Sequence, residues 1–547
     1  MKKLTIFLLV ISMLLAVPHE TADAYDEPYV RVGLRYDSTV MSSANLANEV
    51  GSGYYFGFFE GNNFTGLGGT YEEKITIVKD KNMYFSGGVY YETSQPSSSV
   101  IGAYHIDLGR SFSTYEEAQN AAAEVTSNGT PSFPAYISGE YRVRVGNFST
   151  EADANARKTS IGLSSAPVVG GSATCFTVTA TSDGRILYEY DMGTKVFAVM
   201  PAGSAQSVTW FRGYKYNGAF EYRRNDGNDL TVINVVKIGD YPKGVIPYEM
   251  NPEWPMEALK AQAVCASSYA AYNKNKHSSK GFDVCNTTDC QVYRGLNTAT
   301  EASNAACEAV RGVGIYYNGK ICNAVYHSSN GGATENAENV WGTKTPYLIS
   351  VTDGFENLAS ANNGIWSYTY TGEELSWLLT EKGYPIGKVT KAYVDEYTAA
   401  GNVYRVVFID ASGKKLVFEK ESARTILYSE TLKKYANSQR YTISTGSIEL
   451  YVNSSSGKLS AGSGTAVIGA GGKTGTLKNG DEVYIKSASG TTKLQKTSAE
   501  GFVVSGTGWG HNVGMSQYGA KGMAENGYTY DQIIRYYYTG IELLNIN

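Results

Sequence analysis

The sequence has no excess of basic residues. Its 547 residues include 47 Lys and Arg against 52 Asp and Glu, which gives a formal net charge of -5 at pH 7. Recognition of a phosphate backbone depends on clustered positive charge, so we expect no nucleic-acid partner. The hydrophobic content of 42% describes a globular protein with enough apolar material for several cores.

Long apolar runs are also missing beyond the N-terminus, so no transmembrane helix is expected there. One apolar run extends from Leu4 to Val17 behind two lysines, and Ala22-Asp23-Ala24 offers a small-x-small cleavage site. As a membrane anchor, this run is too short to span a bilayer comfortably. We therefore expect residues 1–24 to be a secretory signal peptide and the mature protein to be exported.

Cysteine is scarce, but its count is even. Disulfides are the default in an exported protein, although six cysteines permit fifteen pairings that the sequence does not resolve. Five of the six crowd into the central region of the chain. The cysteines are Cys175, Cys265, Cys285, Cys290, Cys307 and Cys322.

Two similar halves make up residues 100–170. Each reads as a strand, a glycine with an aromatic residue, a Ser/Thr cap and an alanine-rich helix, with Thr114 and Thr150 placed to cap the two helices. The intervening FPAYIS adds a strand, so a small α/β unit is expected. Centred on YRVRVGNFSTEADA, the stretch resembles a SPOR domain, which implies binding to glycan strands stripped of stem peptides. An α/β unit without a ligand is the alternative.

The segment from Tyr241 to Tyr272 is the first with chemical interest. It is expected to deliver Glu249 from a strand end to the mouth of a helix whose alanines let it pack closely against a neighbour. Pro255 suits the first position of that helix. Apolar neighbours raise a carboxyl pKa toward the range of a general acid. A solvated loop carboxylate is the alternative.

Two further segments carry histidine, of which the chain has only five. His511 lies in a glycine-rich loop that permits close backbone approach to a ligand, and Ser516-Gln517 is expected to open a helix just beyond it. His327 ends a predicted strand before a polar turn, and Trp341 follows as a possible platform for a sugar ring. A structural histidine and a core tryptophan are the ordinary alternatives.

A possible metal site lies between these segments. Cys285 and Cys290 are separated by four residues, with His277 upstream and Asp289 adjacent. Thiolate, imidazole and carboxylate groups in this number suit tetrahedral zinc. A disulfide between the two cysteines is the competing interpretation.

In chain order, YPKGVIPYEMNPEWPMEALKAQAV, HSSNGGATENAENVWG and GWGHNVGMSQYGAKGMA resemble the SpoIID/LytB family of cell-wall proteins. SpoIID-type members are lytic transglycosylases that act on denuded peptidoglycan, whereas LytB-type members enhance a partner amidase. The resemblance makes Glu249 the catalytic acid and implies that five further residues line the cleft. These are His327, Asn330, His511, Ser516 and Gln517.

Two positions depart from the family pattern. Ser267 replaces an arginine that would help to bind or orient the substrate. Asp289 stands where zinc-bearing members usually have a histidine before the second cysteine, although aspartate also ligates zinc.

The predicted fold class is α+β and multidomain: a β-rich SpoIID-like region with packed helices, a small α/β SPOR-like domain and a β-rich insertion. The predicted function is cleavage of denuded glycan strands to 1,6-anhydro-muramyl ends by a secreted, wall-associated enzyme. The alternative is a non-catalytic wall-binding scaffold for an amidase. The predicted segments after the signal peptide are 25–94 (N-terminal β-rich part), 100–170 (SPOR-like), 171–443 (SpoIID-like core), 444–501 (insertion) and 502–547 (C-terminal part of the core).

Overall fold

The computed structural model describes residues 27–203, 207–357, 364–445 and 501–546, and six short strands between 448 and 493. The predicted signal peptide lies outside these residues. The chain divides into two compact units, one formed by residues up to 240 with 274–297, the other by 241–273 with 298–546. None of the described helices combines the length and apolar character that a bilayer crossing needs.

The first unit is mostly antiparallel sheet. One of its sheets has seven strands, and Tyr29–Arg35 lies near the edge, between Thr231–Lys237 and the short strand Val284–Cys285. In Thr231–Lys237 every residue before Lys237 is buried, and Val32 of the neighbouring strand is fully buried. The seven strands, in spatial order, are Val284–Cys285, Tyr29–Arg35, Thr231–Lys237, Ala219–Arg223, Phe197–Pro201, Tyr54–Glu60 and Asn63–Thr70.

A second sheet has ten strands and is covered in part by two helices, α1 (Tyr115–Ser127) and α2 (Glu151–Ser160). The hydroxyls of Thr114 and Thr150 accept hydrogen bonds from the third helical amide in each case, so both predicted caps are confirmed. The ten strands, in spatial order, are Val168–Val169, Tyr104–Asp107, Glu140–Phe148, Ser132–Ile137, Ile186–Asp191, Phe176–Ala180, Lys74–Lys79, Ser43–Asn48, Val208–Phe211 and Tyr214–Asn217. A small third sheet comprises Val89–Tyr91, Met83–Ser86 and Ser99–Ile101.

The 100–170 segment shares its sheet with the strands that surround it. Its strand Ser132–Ile137 runs parallel to Ile186–Asp191, with Ala135 opposite Glu189. A buried ion pair reinforces this join, because Nε2 of His105 lies 2.9 Å from a carboxylate oxygen of Glu189. One sheet therefore contains strands of the 100–170 segment together with strands that precede and follow it in the sequence.

The second unit contains the remaining helices: α3 (Ile246–Glu249), α4 (Met256–Tyr272), α5 (Glu301–Ala309), α6 (Ala337–Trp341), α7 (Gly372–Glu381), α8 (Glu421–Thr425), α9 (Gln517–Glu525) and α10 (Tyr530–Tyr537). Helix α4 begins directly after Pro255, and eleven of its residues are buried, which confirms the predicted buried helix. Its alanines allow α5, α9 and α10 to pack closely against it.

Small sheets complete the second unit. One consists of Lys320–Ile321, Val313–Tyr317 and Glu542–Asn545, and another of Tyr326–His327 and Met515–Ser516. A third consists of Ile365–Tyr370, Phe502–Thr507 and Tyr441–Thr445, and a fourth of Val389–Tyr397, Val403–Asp410 and Lys415–Glu419.

The predicted insertion at 444–501 falls largely outside the described residues. Three antiparallel strand pairs are described within it: Ile448–Tyr451 with Lys458–Ala461, Ala466–Ile468 with Thr474–Thr476, and Tyr484–Ser487 with Gly490–Lys493. The molecule as described is thus a mixed α/β, strand-rich protein with several sheets.

The six cysteines all lie within the described residues, and no disulfide bond joins any two of them. The expected disulfide framework is therefore not formed in this structure. Cys265 shows one reason, since its sulfur is fully buried and contacts Sδ of Met515 at 3.8 Å and the hydroxyl of Tyr538 at 3.4 Å.

Candidate functional site

Two strand ends form the centre of the site in the second unit. The short strand Tyr326–His327 pairs in parallel with Met515–Ser516, so that His327 lies opposite Ser516. This pairing places the turn after His327 beside Ser516 at the start of α9. A separate bridge joins that turn to the glycine-rich loop before Ser516, because the backbones of Ser329 and Trp509 exchange hydrogen bonds of 3.1 and 2.7 Å.

The backbone of Val513 orients both imidazoles of the site. Its carbonyl accepts a hydrogen bond from Nδ1 of His327 at 3.1 Å, and its amide donates to Nδ1 of His511 at 3.1 Å. These contacts place the proton of His327 on Nδ1 and that of His511 on Nε2. The rings pack against each other with centroids 5.6 Å apart.

Both imidazoles are electrically neutral at physiological pH. Burial lowers the pKa of His327 to about 4. Burial, reinforced by the nearby imidazole of His327, lowers the pKa of His511 well below its usual range. Neither ring suits the role of a cationic acid. Nε2 of His327 is buried without a hydrogen-bond partner among the described residues, which makes it an acceptor awaiting a donor.

Glu356 ties the two turns together. One of its carboxylate oxygens accepts hydrogen bonds from the amide of Asn330 at 2.6 Å and from the hydroxyl of Ser516, and the other accepts from the amide of Gly331 at 2.9 Å. Burial raises the pKa of this carboxyl group against the effect of these donors. Ser516 also caps α9 by accepting from the amide of Gly519 at 3.1 Å, which confirms the predicted helix start.

A second carboxylate holds the side chain of Asn330. Oδ2 of Asp353 accepts from Nδ2 of Asn330 and from the hydroxyl of Tyr537, both at 2.7 Å. A glycine is required beside this group, because a Cβ at Gly519 would overlap the Tyr537 hydroxyl and the Asp353 carboxylate. Asp353 thus connects the turn after His327 to α10, next to α9, in a buried polar layer under the site.

Two tryptophan rings are exposed around the imidazoles. The ring of Trp341, at the end of α6, lies 5.0 Å from that of His511 and is 44% exposed. Trp509 is equally exposed, and its amide bonds the carbonyl of Ser329 at 2.7 Å. Exposed aromatic rings next to polar groups are the surfaces on which sugar rings stack.

Glu249 is the last residue of the one-turn helix α3, and not the end of a strand as predicted. Pro247 sits at the start of that turn and suits a helical N-terminus. Glu249 is partly buried between Ile246 and Met250, and these two belong to the same hydrophobic core as Val513 and Met515 of the histidine loop.

The next turn of the chain reaches α9 directly. The ring of Trp254 packs edge-on against Tyr518, with centroids 4.9 Å apart, and Nζ of Lys521 lies 5.5 Å from its centre. Gln517 precedes Tyr518 and is 6% exposed, with its amide nitrogen unpaired among the described residues. Ser267, the departure from the family pattern, is buried on α4.

The predicted metal ligands come together in the first unit. One ligand atom from each of His277, Cys285, Asp289 and Cys290 lies within 4.8 Å of all the others. Nε2 of His277 is 3.3 Å from the sulfur of Cys290 and 3.3 Å from Oδ2 of Asp289. A hydrogen bond from Cys290 lowers the pKa of the Cys285 thiol to about 4, which favours the thiolate form that binds metal. The donor set and its spacing fit a tetrahedral ion.

Sequence reasoning did not identify Glu356, Asp353 or the role of Trp509. The two acids follow one another in a loop without periodicity, so only their burial against the histidine turn distinguishes them from other acidic residues. Trp509 was visible as part of the GWGH motif, but its exposure is set by the tertiary structure.

Comparisons with known proteins match two parts of the chain. Residues 226–317 match the family model SpoIID, stage II sporulation protein, and residues 101–169 match the SPOR domain. The SpoIID match contains Glu249 and the four residues of the metal cluster. The two histidine turns lie outside it.

Three curated relatives are similar over more than half of this chain. An uncharacterised protein of Brachyspira hyodysenteriae is 28% identical over 348 residues, 61% of this chain and 74% of the relative. The amidase enhancer of Bacillus subtilis is 30% identical over 301 residues, 55% of this chain and 40% of the relative. Stage II sporulation protein D of Bacillus subtilis is 25% identical over 326 residues, 57% of this chain and 75% of the relative.

The chain spans less than half the length of the amidase enhancer that it matches. Together with the family matches, these relatives identify a cell-wall-related protein that combines a SPOR domain with a SpoIID-family segment.

Proposed function

We propose that this protein is a lytic transglycosylase that cleaves denuded peptidoglycan strands, with Glu249 as its acid and base. The observation that supports this most directly is the assembly of the second unit. Ile246 and Met250, which flank the partly buried Glu249, share one hydrophobic core with Val513 of the loop that carries His511. The chain just after Glu249 packs against α9 through Trp254 and Tyr518.

A single carboxyl group is sufficient for this reaction. Hydrolysis of a glycosidic bond ordinarily uses two carboxylates. Here the Glu249 carboxyl donates its proton to the bridging oxygen as the C1–O bond breaks. The resulting carboxylate then takes the proton from the 6-hydroxyl of the same sugar, whose oxygen bonds to C1. The 1,6-anhydro ring closes, no water is consumed, and Glu249 regains its proton.

The neutral imidazoles would orient the sugar by hydrogen bonds. Nε2 of His327 accepts, and the ring of His511 lies against the exposed Trp341. Asn330, Ser516 and Gln517 contribute to the same polar layer. Hydrogen bonds that hold the 6-hydroxyl of a bound sugar close to C1 of the same sugar reduce the entropy lost on reaching the transition state.

The test is incubation of the purified protein with denuded glycan, followed by mass spectrometry of the new strand ends. Anhydro-muramyl ends are expected from the wild type and not from Glu249→Gln. The matched control is Glu253→Gln, an exposed carboxylate four residues further on, which should retain activity. Ends produced equally by Glu249→Gln would contradict the catalytic role.

A non-catalytic role as a wall-bound enhancer of an amidase is the second candidate. Two observations favour it: the relative named amidase enhancer is 30% identical, and Ser267 stands in place of the expected arginine. If no new glycan ends form but a cell-wall amidase releases more stem peptide in the presence of either the wild type or Glu249→Gln, this candidate replaces the first. Both candidates place an exported protein on peptidoglycan, with the SPOR domain contributing wall binding.

One zinc ion, held by His277, Cys285, Asp289 and Cys290, is part of the proposal. The cluster lies in the first unit, and Val284–Cys285 is a strand of the seven-stranded sheet. The ion would supply structural cross-linking of the loop from Cys285 to Cys290 to that sheet. Metal analysis of protein purified without chelator, with a parallel thiol count, tests this. One zinc per chain is expected, and it should be lost in Cys290→Ser. A metal-free protein with two thiols fewer would establish the disulfide instead.

A further inference from the structure

A groove of about 580 Å³ lies in the first unit. Its volume falls within the range of about 300–1,000 Å³ that ligand sites occupy. Three segments form it: the end of the strand Tyr29–Arg35 with the turn after it, the hairpin that joins Val208–Phe211 to Tyr214–Asn217, and the chain from 286 to 294. Every residue that lines the groove belongs to the first unit.

Three arginines line the groove: Arg35, Arg212 and Arg294. Arg35 and Arg212 form no hydrogen bond or ion pair within the described part of the chain. Asp37 is the only carboxylate among the lining residues, and it is already paired with Lys280. Arg35 and Arg212 therefore present guanidinium groups whose charge is not balanced by a carboxylate of the groove wall.

The backbone at Arg212 is unusual for an arginine. Arg212 has φ +48° and the following Gly213 has φ +87°, which is the two-residue turn that normally takes Asn-Gly. A non-glycine residue in this conformation is uncommon outside Asn and Asp. An arginine here carries a conformational cost, and its charge is exposed beside the groove. The departure from the favoured turn sequence is consistent with a binding role.

Aromatic residues form a further part of the wall. Tyr216 and Tyr293 are buried, with ring centroids 5.8 Å apart and planes at 31°. The hydroxyl of Tyr293 is fixed by a 2.6 Å hydrogen bond to Asn234. Tyr214 and Tyr36 also line the groove. The partly exposed rings of Tyr36 and Tyr214 supply an apolar surface for a sugar ring, and the arginines of the same groove supply donors for an anion.

From these features we infer that this groove binds a carboxylate-bearing glycan, with Arg35, Arg212 and Arg294 holding its carboxylates. The inference rests on the proposed wall function, because removal of the stem peptide leaves a free lactyl carboxylate on each muramic acid of a denuded strand. Arginine forms paired hydrogen bonds with carboxylates, and such charged bonds are stronger than neutral ones. The groove would thus bind strands without stem peptides in preference to strands that carry them, because only the former have free lactyl carboxylates.

Hydrogen exchange of the full chain with a short denuded glycan tests the site without interference from the SPOR domain. The Glu249→Gln protein is used so that the strand is not consumed. Protection of residues 34–39, 211–216 and 286–294 is expected. The same oligosaccharide with its carboxylates converted to methyl amides, and an N-acetylglucosamine oligomer, should give no protection at these residues.

Point variants provide the second arm. Arg212→Asn removes the charge and places a residue that the turn prefers, so the fold is retained. We expect it and Arg35→Gln each to weaken glycan binding in the groove about tenfold. Arg185→Gln is the control, since Arg185 is an exposed arginine in the same unit that pairs with Glu72.

The outcomes are separable from those of the proposed function. Equal protection by the amidated and the free strand overturns carboxylate recognition. Stronger protection by poly(glycerol phosphate) assigns the groove to a phosphate polymer and also overturns it. If the wild type produces anhydro ends but the groove shows no protection, this inference fails alone. If the groove is protected and no anhydro ends form, the catalytic proposal fails and the binding site stands.

Discussion

His327 lies ring against ring with His511, their centroids 5.6 Å apart, although 184 positions separate the two in the sequence (511 minus 327). Each ring nitrogen Nδ1 is held by the same residue, Val513, through its carbonyl in one case and its amide in the other. The protonation of both rings is therefore set by backbone geometry, and the pair forms a neutral hydrogen-bonding surface.

Stability should depend on pH through His327. Its folded-state pKa of about 4 lies below the usual value of about 6.5. Between these values the unfolded chain binds a proton that the folded chain does not. The free energy of unfolding is thus unaffected above about pH 6.5 and falls as the pH drops toward 4, by about 1.4 kcal/mol per pH unit for one such group. Denaturant unfolding measured across pH 4–7.5 should show this slope, and His327→Asn should reduce it. An unchanged slope in the variant would assign the effect to other groups.

Substitution of Glu356 should loosen the join between the two turns. In Glu356→Gln only one acceptor oxygen remains for the amides of Asn330 and Gly331. A buried donor is then left without its partner, at a cost of about 1–3 kcal/mol. Thermal unfolding should reveal this loss. Glu525→Gln removes an exposed i,i+4 pair with Lys521 and should cost less than about 0.5 kcal/mol. Similar losses for the two variants would contradict a central role for Glu356.

Alanine at Gly519 should destabilise the protein despite its better helix propensity. The new Cβ would overlap the Tyr537 hydroxyl and the Asp353 carboxylate, and overpacking of this kind costs about 1–3 kcal/mol. The propensity gain of about 1 kcal/mol does not offset it at the upper end of that range. Gly354→Ala is the matched control, because its Cβ meets nothing within 4 Å. Denaturant titration of both variants tests the difference, and a stabilised Gly519→Ala would refute the packing argument.

The buried pair between His105 and Glu189 should matter more than a surface pair. The charge of Glu189 raises the pKa of His105 against burial, and the imidazole in turn lowers the pKa of Glu189. Glu189→Gln removes the carboxylate that pairs with the buried imidazole and leaves Asp80, which lies within 4.8 Å, as an acidic neighbour. The expected cost is therefore about 3 kcal/mol, the lower end of the range for a broken buried pair. Glu72→Gln breaks an exposed pair with Arg185 and should cost about 1 kcal/mol or less. Unfolding of the two variants compares them directly. Equal costs would show that the join between the SPOR strands and their neighbours does not depend on this pair.

Local patterns in the sequence predicted the local structure well. Thr114 and Thr150 were identified as helix caps, and Ser516-Gln517 as the start of a helix, because a helix start depends only on residues within one turn of each other. The alanine stripe of α4 predicted a buried helix for a similar reason, since its spacing is a property of one segment. Glu249 was placed on a strand end, yet the prolines that frame it allow a one-turn helix instead.

Candidate site residues were partly accessible from sequence. Histidine is rare in this chain, so His327 and His511 in polar, glycine-rich turns attracted attention. Glu356 did not, because an acidic residue in an irregular loop has no distinguishing pattern until the loop folds over Asn330 and Ser516. The grouping of His277 and Asp289 with the sulfurs of Cys285 and Cys290 likewise needed the fold, and it is the observation on which the proposed metal site rests.

The sequence by itself determined which segments form helices and strands, the two related halves of the SPOR region, and the residue types available for catalysis and metal binding. The tertiary structure decided which of those residues meet. It joined the SPOR strands to a larger sheet, paired two distant histidine turns, and gathered three arginines around one groove. The physical reason is that capping and periodicity act over a few residues, whereas strand pairing, burial and the resulting shifts in pKa arise from contacts between segments far apart in the chain.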